Sequence, residues 1–419
     1  MQSKNLKIDI LAGVSTFLTM SYIIVVNPSI LSTPGTGMSF SGVLTGTVLI
    51  SFFATLLMGL YAKLPFALAP GMGLNAFFTF SLVLGQKIPW QTALGMVFWS
   101  GILFIILSLT PLREMLIKAI PKHLRIAMAV GIGVFLSFIG LKGGGIVISD
   151  SVTFVKGAHL SHQLVMTLLG LFVIAFFYRM KNPFSFLFSI IGVTLISVIT
   201  GDVKIPGNIF SRPDFHSVFM QVDFIGSLSW AFIPSMLTLM ITDLFDTMST
   251  LIGVSHSTGL VDEKGEPKNM KKALVVDAVA TTFSSLFGTS PTTTYIESST
   301  GIELGGKSGR SSIVTALCFL PFLFIAPLAG IVPSYATAPV LIFVGILMFK
   351  SVSEIDFSTV ENALPAFLII LLIPFSFSIT HGIVFGLLSH TIMYLICGRI
   401  KEVHPLLILI SILCSFILI

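Results

Sequence analysis

Apolar stretches close to membrane-crossing length follow one another along almost the whole chain, from Ile10 to Ile419, with only short polar punctuation between them. A helix needs about 20 consecutive apolar residues to cross a bilayer, because each residue advances it ~1.5 Å through a ~30 Å hydrocarbon layer. Either the chain crosses a membrane many times or it hides this surface in a soluble core. Composition removes the second option: of 419 residues 54% are hydrophobic and only 10% charged, more apolar surface than a soluble fold of this size can bury. The predicted class is therefore an all-α polytopic membrane protein, with no soluble domain of useful size left over.

Hydropathy sets the first predicted crossings at residues 10–31, 42–62, 66–84, 91–110, 124–148, 162–178 and 184–200. A more polar stretch at 201–226 follows, and a second series runs through 228–255, 273–287, 289–302, 311–330, 335–349, 363–379 and 381–397. These make fourteen segments, with a first repeat over 1–200, a connecting loop at 201–226, a second repeat over 227–397 and an apolar tail at 398–419. An odd number of segments per half turns the halves to face opposite ways, as in inverted-repeat transporters. The one local echo between them is Thr19-Met20-Ser21 against Thr247-Met248-Ser249. The last run, Pro405 to Ile419, is short for a crossing and reads as interfacial or packed on the bundle.

The formal net charge of +5 comes from cations in short loops beside the apolar runs, so it reports orientation and gives no reason to expect nucleic acid as a partner. With a cytoplasmic N-terminus in a cytoplasmic (inner) membrane, one side receives Lys63, the cluster Arg113, Lys118, Lys122 and Arg125, then Arg179 with Lys181, Lys271 with Lys272, Lys307 with Arg310, and Arg399 with Lys401. The other side, with Lys87, Lys142, Lys156, Lys204 and Arg212, is poorer in cations. The N-terminal run has no small-residue cleavage site and reads as the first span rather than a signal peptide. Cys318, Cys397 and Cys414 lie in apolar stretches without a pairing pattern and read as packing residues. His381 and His390, nine residues apart, give no metal spacing, and no HExxH or GxSxG motif is present, so neither an enzyme nor a metal site is expected.

The third and tenth segments open with residues that resist regular helix. Pro65-Phe66-Ala67-Leu68-Ala69-Pro70-Gly71-Met72-Gly73 leads into Leu74-Asn75-Ala76-Phe77, and Gly288-Thr289-Ser290-Pro291-Thr292-Thr293-Thr294-Tyr295 leads into Ile296-Glu297-Ser298-Ser299. Proline blocks helix and the threonine run favours strand, so each reads as a short extended piece followed by a half-helix. Such backbone survives at membrane depth only where protein or a water-filled cavity satisfies it, and paired interruptions mark a substrate site.

Acidic residues gather in the same part of the chain: Asp243 and Asp246 in segment 8, Asp277 in segment 9 and Glu297 at the start of the tenth half-helix. A carboxylate near the bilayer centre costs about 3 kcal/mol on insertion scales. A static polar network is the competing reading. Against it, neither Lys nor Arg lies within segment 8, in segment 9 after Ala273, or in segment 10 up to Glu297. Acids without basic partners must hold protons or meet a donor-rich ligand, the profile of a proton-coupled site driven by the proton gradient with no cofactor. A purine base suits it, being flat, largely neutral and rich in N–H donors. Phe77, Phe78, Phe245 and Tyr295 offer ring faces, with lipid or core packing as the competing role for each, and Asn75 offers both donor and acceptor beside a half-helix start.

Four ordered runs carry a family likeness: Thr16 to Pro28 (TFLTMSYIIVVNP), Ala69 to Phe78 (APGMGLNAFF), Thr242 to Thr250 (TDLFDTMST) and Gly288 to Gly301 (GTSPTTTYIESSTG). The chain resembles the AzgA-like purine permeases, a branch of the nucleobase–cation symporter family of xanthine and uracil permeases, over nearly its whole length. The resemblance implies fourteen spans in two inverted repeats, with a core domain from 8–120 and 227–332 and a gate domain from 121–200 and 333–397. It implies proton symport of hypoxanthine, guanine or adenine, and a homodimer through the gate domain. Asn75, Asp243 and Glu297 match positions the family uses for substrate, with Phe245, Phe78 and Ser298 beside them. Asp246 matches a position linked to transport and Asp277 one associated with coupling, so Asp243, Asp246 and Asp277 are the candidates for the proton. A sulfate-type anion transporter on the same architecture, or a xanthine/uracil permease, is the alternative.

Overall fold

The computed structural model describes residues 2–110, 115–116, 119–262 and 267–415. Among them, eight helices are long and apolar enough to cross a membrane and four shorter apolar helices accompany them. With the helix Met270–Leu286 and the half-helix Ser298–Glu303 they make the fourteen segments expected. Segments 1 to 7 are Gln2–Met20 with Ile23–Leu31, Phe40–Ala62, Met72–Gly85 behind the strand Leu68–Pro70, Trp90–Leu109, Lys122–Gly143, His162–Arg179 and Ser185–Ile199. Segments 8 to 14 are Trp230–Thr258, Met270–Leu286, Ser298–Glu303 behind the strand Thr292–Thr294, Gly309–Phe324, Ser334–Glu354, Val360–Ser376 and Ile379–Ile396. Arg113 and Lys118, counted in the cationic cluster, and the side chain of Cys414 lie outside the described residues.

Several boundaries differ from expectation for identifiable reasons. Segment 5 ends at Gly143, short of residue 148, because the glycine run 143–145 includes Gly145 at φ +67°; the chain then forms an antiparallel hairpin, Val147–Asp150 with Phe154–Gly157. Segment 1 is interrupted at Ser21–Tyr22 instead of running straight. Segment 11 gives way to tighter 3-10 turns at Leu320–Phe324, where Pro321 cannot continue the α ladder. The tail forms a helix, Pro405–Ser415, packed on segment 14, where Thr391 and Ser411 hydroxyls lie 3.4 Å apart. Cys318 is half-buried as a packing residue would be, whereas Cys397, at the end of segment 14, is exposed.

Glycines set how closely the segments pack. With lipid as apolar as the side chains, helices associate through close backbone approach. In the first group of segments, a Cβ on Gly59 would come within 2.5 Å of the Gly309 carbonyl, and one on Gly101 within 2.9 Å of the Thr282 Cα. Segment 2 thereby meets segment 11, and segment 4 meets segment 9. In a second group, Gly133 and Gly140 admit segment 12 against segment 5, and Gly131 admits segment 13. Segments 1–4 with 8–11 pack mainly among themselves, as do 5–7 with 12–14; these are the core and gate of the fold.

The connecting loop is tied down by Asp214, which accepts from the hydroxyls of Ser41 (2.8 Å) and Ser217 (2.7 Å) and from the backbone N–H of His216 and Ser217. Partial burial pushes this carboxyl up, but the four donors outweigh it and hold it at about 2.

Candidate functional site

The two extended pieces meet each other at the centre of the core. They pair antiparallel, Leu68 opposite Thr294, Ala69 opposite Thr293 and Pro70 opposite Thr292. The pairing continues outward, with Gly71 N–H donating to the Pro291 carbonyl (3.0 Å) and Tyr295 N–H to that of Ala67 (2.9 Å). Backbone that could not be helical thus satisfies itself across the repeat boundary, as membrane burial requires. Side chains brace the crossing: Thr55 both donates to the Leu68 carbonyl and accepts from its N–H, at 2.9 Å each, and Tyr295 donates to the Pro70 carbonyl at 2.6 Å. Each half-helix begins where its strand ends, so the two start at opposite ends of the crossing.

Around this crossing the named residues fall into two groups. Asn75 is fully buried on the half-helix of segment 3; its carbonyl oxygen accepts from the Ser290 hydroxyl at 2.5 Å, while its Nδ2 has no partner. Asp243 is 1% exposed and accepts from Thr281 at 2.6 Å through one oxygen, the other having no partner among the described residues. Glu297 sits at the N-cap of its half-helix and accepts from the Tyr22 hydroxyl at 2.7 Å. Asp277 is fully buried beside Asp243 and the Thr247 hydroxyl, and among the described residues neither of its carboxylate oxygens meets hydrogen-bond geometry. Ser298 is buried and occupied structurally, its hydroxyl accepting from Ala67 N–H at 3.0 Å. Phe78 is fully buried within the core.

The second group lines a narrow cleft between core and gate. Gly73, Leu74, Thr242, Phe245, Asp246 and Ser249 form the core wall, and Arg125, Met128, Ala129, Ile132 and Met348 the gate wall. Its volume of about 60 Å³ holds a few waters. Phe78, Asn75, Asp243 and Glu297 do not line it. Gly73 marks a close core–gate contact, since a Cβ there would lie 2.6 Å from Ile132.

Several participants carry no distinctive signal in the sequence, among them Thr281, whose hydroxyl donates to Asp243. Tyr22, holding Glu297, sits where segment 1 is interrupted; a lone phenol in an apolar run is its only signal. Ser290, holding Asn75, lay in the motif but carried no role. Arg125 was counted as an orienting cation at the start of segment 5, and the folded chain brings its guanidinium to 5.3 Å from the Phe245 ring centroid. Asp246 therefore lacks a cation within its own segment but shares the cleft with one from the gate.

Residues 7–385 match the profile described as "Permease family" (Xan_ur_permease). The chain belongs to this permease family. The resemblance carried by the four motifs thus holds, and the permease is a multi-pass membrane transport protein, not an enzyme. It is 40% identical to the adenine permease AdeP of Escherichia coli (strain K12), over 97% of this chain and 91% of that one. It is 39% identical to the guanine/hypoxanthine permease PbuO of Bacillus subtilis (strain 168), over 98% and 97%. In fold the permease is similar to the transmembrane domain of a cyanobacterium bicarbonate transporter, BicA, with a TM-score of 0.66 at 18% identity over 91% of this chain and 97% of that one.

Proposed function

We propose that the permease imports purine nucleobases, hypoxanthine, guanine or adenine, by proton symport through the cytoplasmic membrane. The observation that carries this reading is the crossing itself: unpaired carboxylate oxygens on Asp243 and Asp277, with an unpartnered amide on Asn75, gathered around paired strands in the core. Charged carboxylates are expensive to bury alone, and neighbouring ones more so, so such a site holds protons, donor-rich ligand, or both. A purine brings N–H donors to the acids and acceptors to the amide. The purine permeases of E. coli and B. subtilis, similar over nearly their whole length, support the substrate class.

In this mechanism the base enters from the core–gate cleft and is held by Glu297 and Asn75, with Phe245 covering a ring face. A proton on Asp243 or Asp246 neutralises the site, and Asp277 relays or stabilises it. The loaded core (8–120 and 227–332) then moves against the gate (121–200 and 333–397), exposing the site to the other side; a cleft with room for only a few waters must open for a base to pass. Gate domains of two copies pair in the membrane, and the N-terminus lies in the cytoplasm. The likeness to a bicarbonate transporter carries the fold alone, and the clustered acids disfavour an anion as substrate.

The test is uptake of labelled hypoxanthine by cells expressing the permease, with adenine, guanine, xanthine and uracil as competitors and a protonophore as control. Competition by guanine or adenine, stronger than by xanthine or uracil, with accumulation abolished by the protonophore, is expected. Competition by uracil as strong as by any purine, or accumulation indifferent to the protonophore, would overturn it.

A further inference from the structure

Among the described residues, Arg125 is the one charged side chain that the gate contributes to the cleft lining, and Asp246 the one that the core contributes. The guanidinium lies over Phe245, yet among the described residues it forms no ion pair with Asp246 or any other acid. Among the described residues its buried Nε has no hydrogen-bond partner. A buried N–H donor left unpaired is costly, and a ligand accepting from it would remove that cost. The two walls are thus chemically opposite. The core offers carboxylate and the Thr242 hydroxyl, whose oxygen is also buried without a partner; the gate offers only N–H donors in a planar fork.

A ligand matching both walls must present N–H donors on one edge and two adjacent acceptors on another. Arginine is suited to the O6/N7 edge of a 6-oxopurine, to which it donates two parallel hydrogen bonds, whereas adenine places an amino donor where O6 would be and turns one of those bonds into a donor–donor clash. Hypoxanthine and guanine keep a ring N–H, and guanine also an amino group, for the carboxylate side. We propose that Arg125 is a specificity-determining residue that selects 6-oxopurines over adenine by donating to O6 and N7 of the base. This rests on the purine reading above and adds to it a choice among purines, made on the gate wall rather than at the acids of the core.

The experiment measures inhibition of labelled hypoxanthine uptake by unlabelled hypoxanthine, guanine, adenine and 7-deazahypoxanthine, in the parent and in Arg125→Gln, with surface amounts of each normalised by immunoblot. In the parent, adenine and 7-deazahypoxanthine should each compete about tenfold or more weakly than hypoxanthine, the discrimination expected of a bidentate pair. Glutamine matches the N6/N7 edge of adenine, so Arg125→Gln should narrow or reverse the hypoxanthine-to-adenine ratio. If adenine competes as well as hypoxanthine in the parent, or if the ratio is unchanged in Arg125→Gln, the inference fails while purine transport stands. If no purine competes, the purine reading fails first. The 7-deazahypoxanthine comparison needs only the parent, so a variant that does not reach the membrane leaves the proposal open to refutation: equal competition by the two would sink it.

Discussion

Segments 3 and 10 occupy matching places in the two halves and share one backbone design, a strand followed by a half-helix, but their chemistry diverges. The segment 3 strand is Leu68-Ala69-Pro70, and the first turn of its half-helix, Met72–Ala76, carries one polar side chain, Asn75. The segment 10 strand is three threonines, followed by Tyr295, Glu297 and Ser298. The supporting segments differ the same way. Aligning Thr19-Met20-Ser21 with Thr247-Met248-Ser249 puts Ser15 and Leu18 where the second half has Asp243 and Asp246. The lesson is that the repeated architecture supplies a crossing that satisfies its own backbone, while the second half alone supplies the acids named at the site. A symmetric set of acids would place still more uncompensated charge in the core; an asymmetric one lets a single neutral ligand and a proton complete the site.

The comparison can be broken most forcefully at Glu297. Glu297→Ala should reduce purine binding and uptake to background, measured with labelled hypoxanthine, because it removes an acid at the crossing and strands the Tyr22 hydroxyl. Asp246→Asn should leave binding measurable but abolish concentration of purine against its gradient, since the asparagine cannot take up and release a proton; a binding assay beside an accumulation assay separates the two. If both variants accumulate purine like the parent, the acidic half is not the working half. On the first-half side, Asn75→Ala should weaken half-saturation by about tenfold, the value of one or two hydrogen bonds, without removing coupling. Gly71→Ala tests the shared backbone: its Cβ would lie 2.7 Å from Thr293 Cγ2, and overpacking of this kind costs ~1–3 kcal/mol, so the melting temperature in detergent should fall by a few degrees. Ser15→Ala, at the counterpart of Asp243, should change uptake by less than about twofold.

Much of this was legible in the sequence because its signals are local. Pro65, Pro70 and Pro291 disfavour helix locally and the threonine run favours strand, so the extended pieces could be predicted; that they pair with each other is a contact between residues more than two hundred positions apart. Likewise the acids of segments 8, 9 and 10 announce themselves by their cost in an apolar setting, whereas their partners do not. Tyr22, Ser290 and Thr281 are ordinary polar residues until folding brings them to Glu297, Asn75 and Asp243. Arg125 reads in the sequence as an orienting cation and gives no sign of its place in the cleft. A cation at a helix end obeys the positive-inside rule whether it points to water or back into the protein, and only the packing of gate on core decides which. Phe78 shows the opposite failure: an aromatic near a motif looked available for stacking and is packed within the core, while Phe245 reaches the cleft.

The most direct measurement is proton movement driven by purine. In proteoliposomes holding the purified permease and a pH-sensitive dye inside, with no initial pH or voltage difference, external hypoxanthine should acidify the lumen as base and proton enter together. Glu297→Ala liposomes should remain flat. Hypoxanthine entry at the parent rate with no change in luminal pH would contradict proton symport at this site.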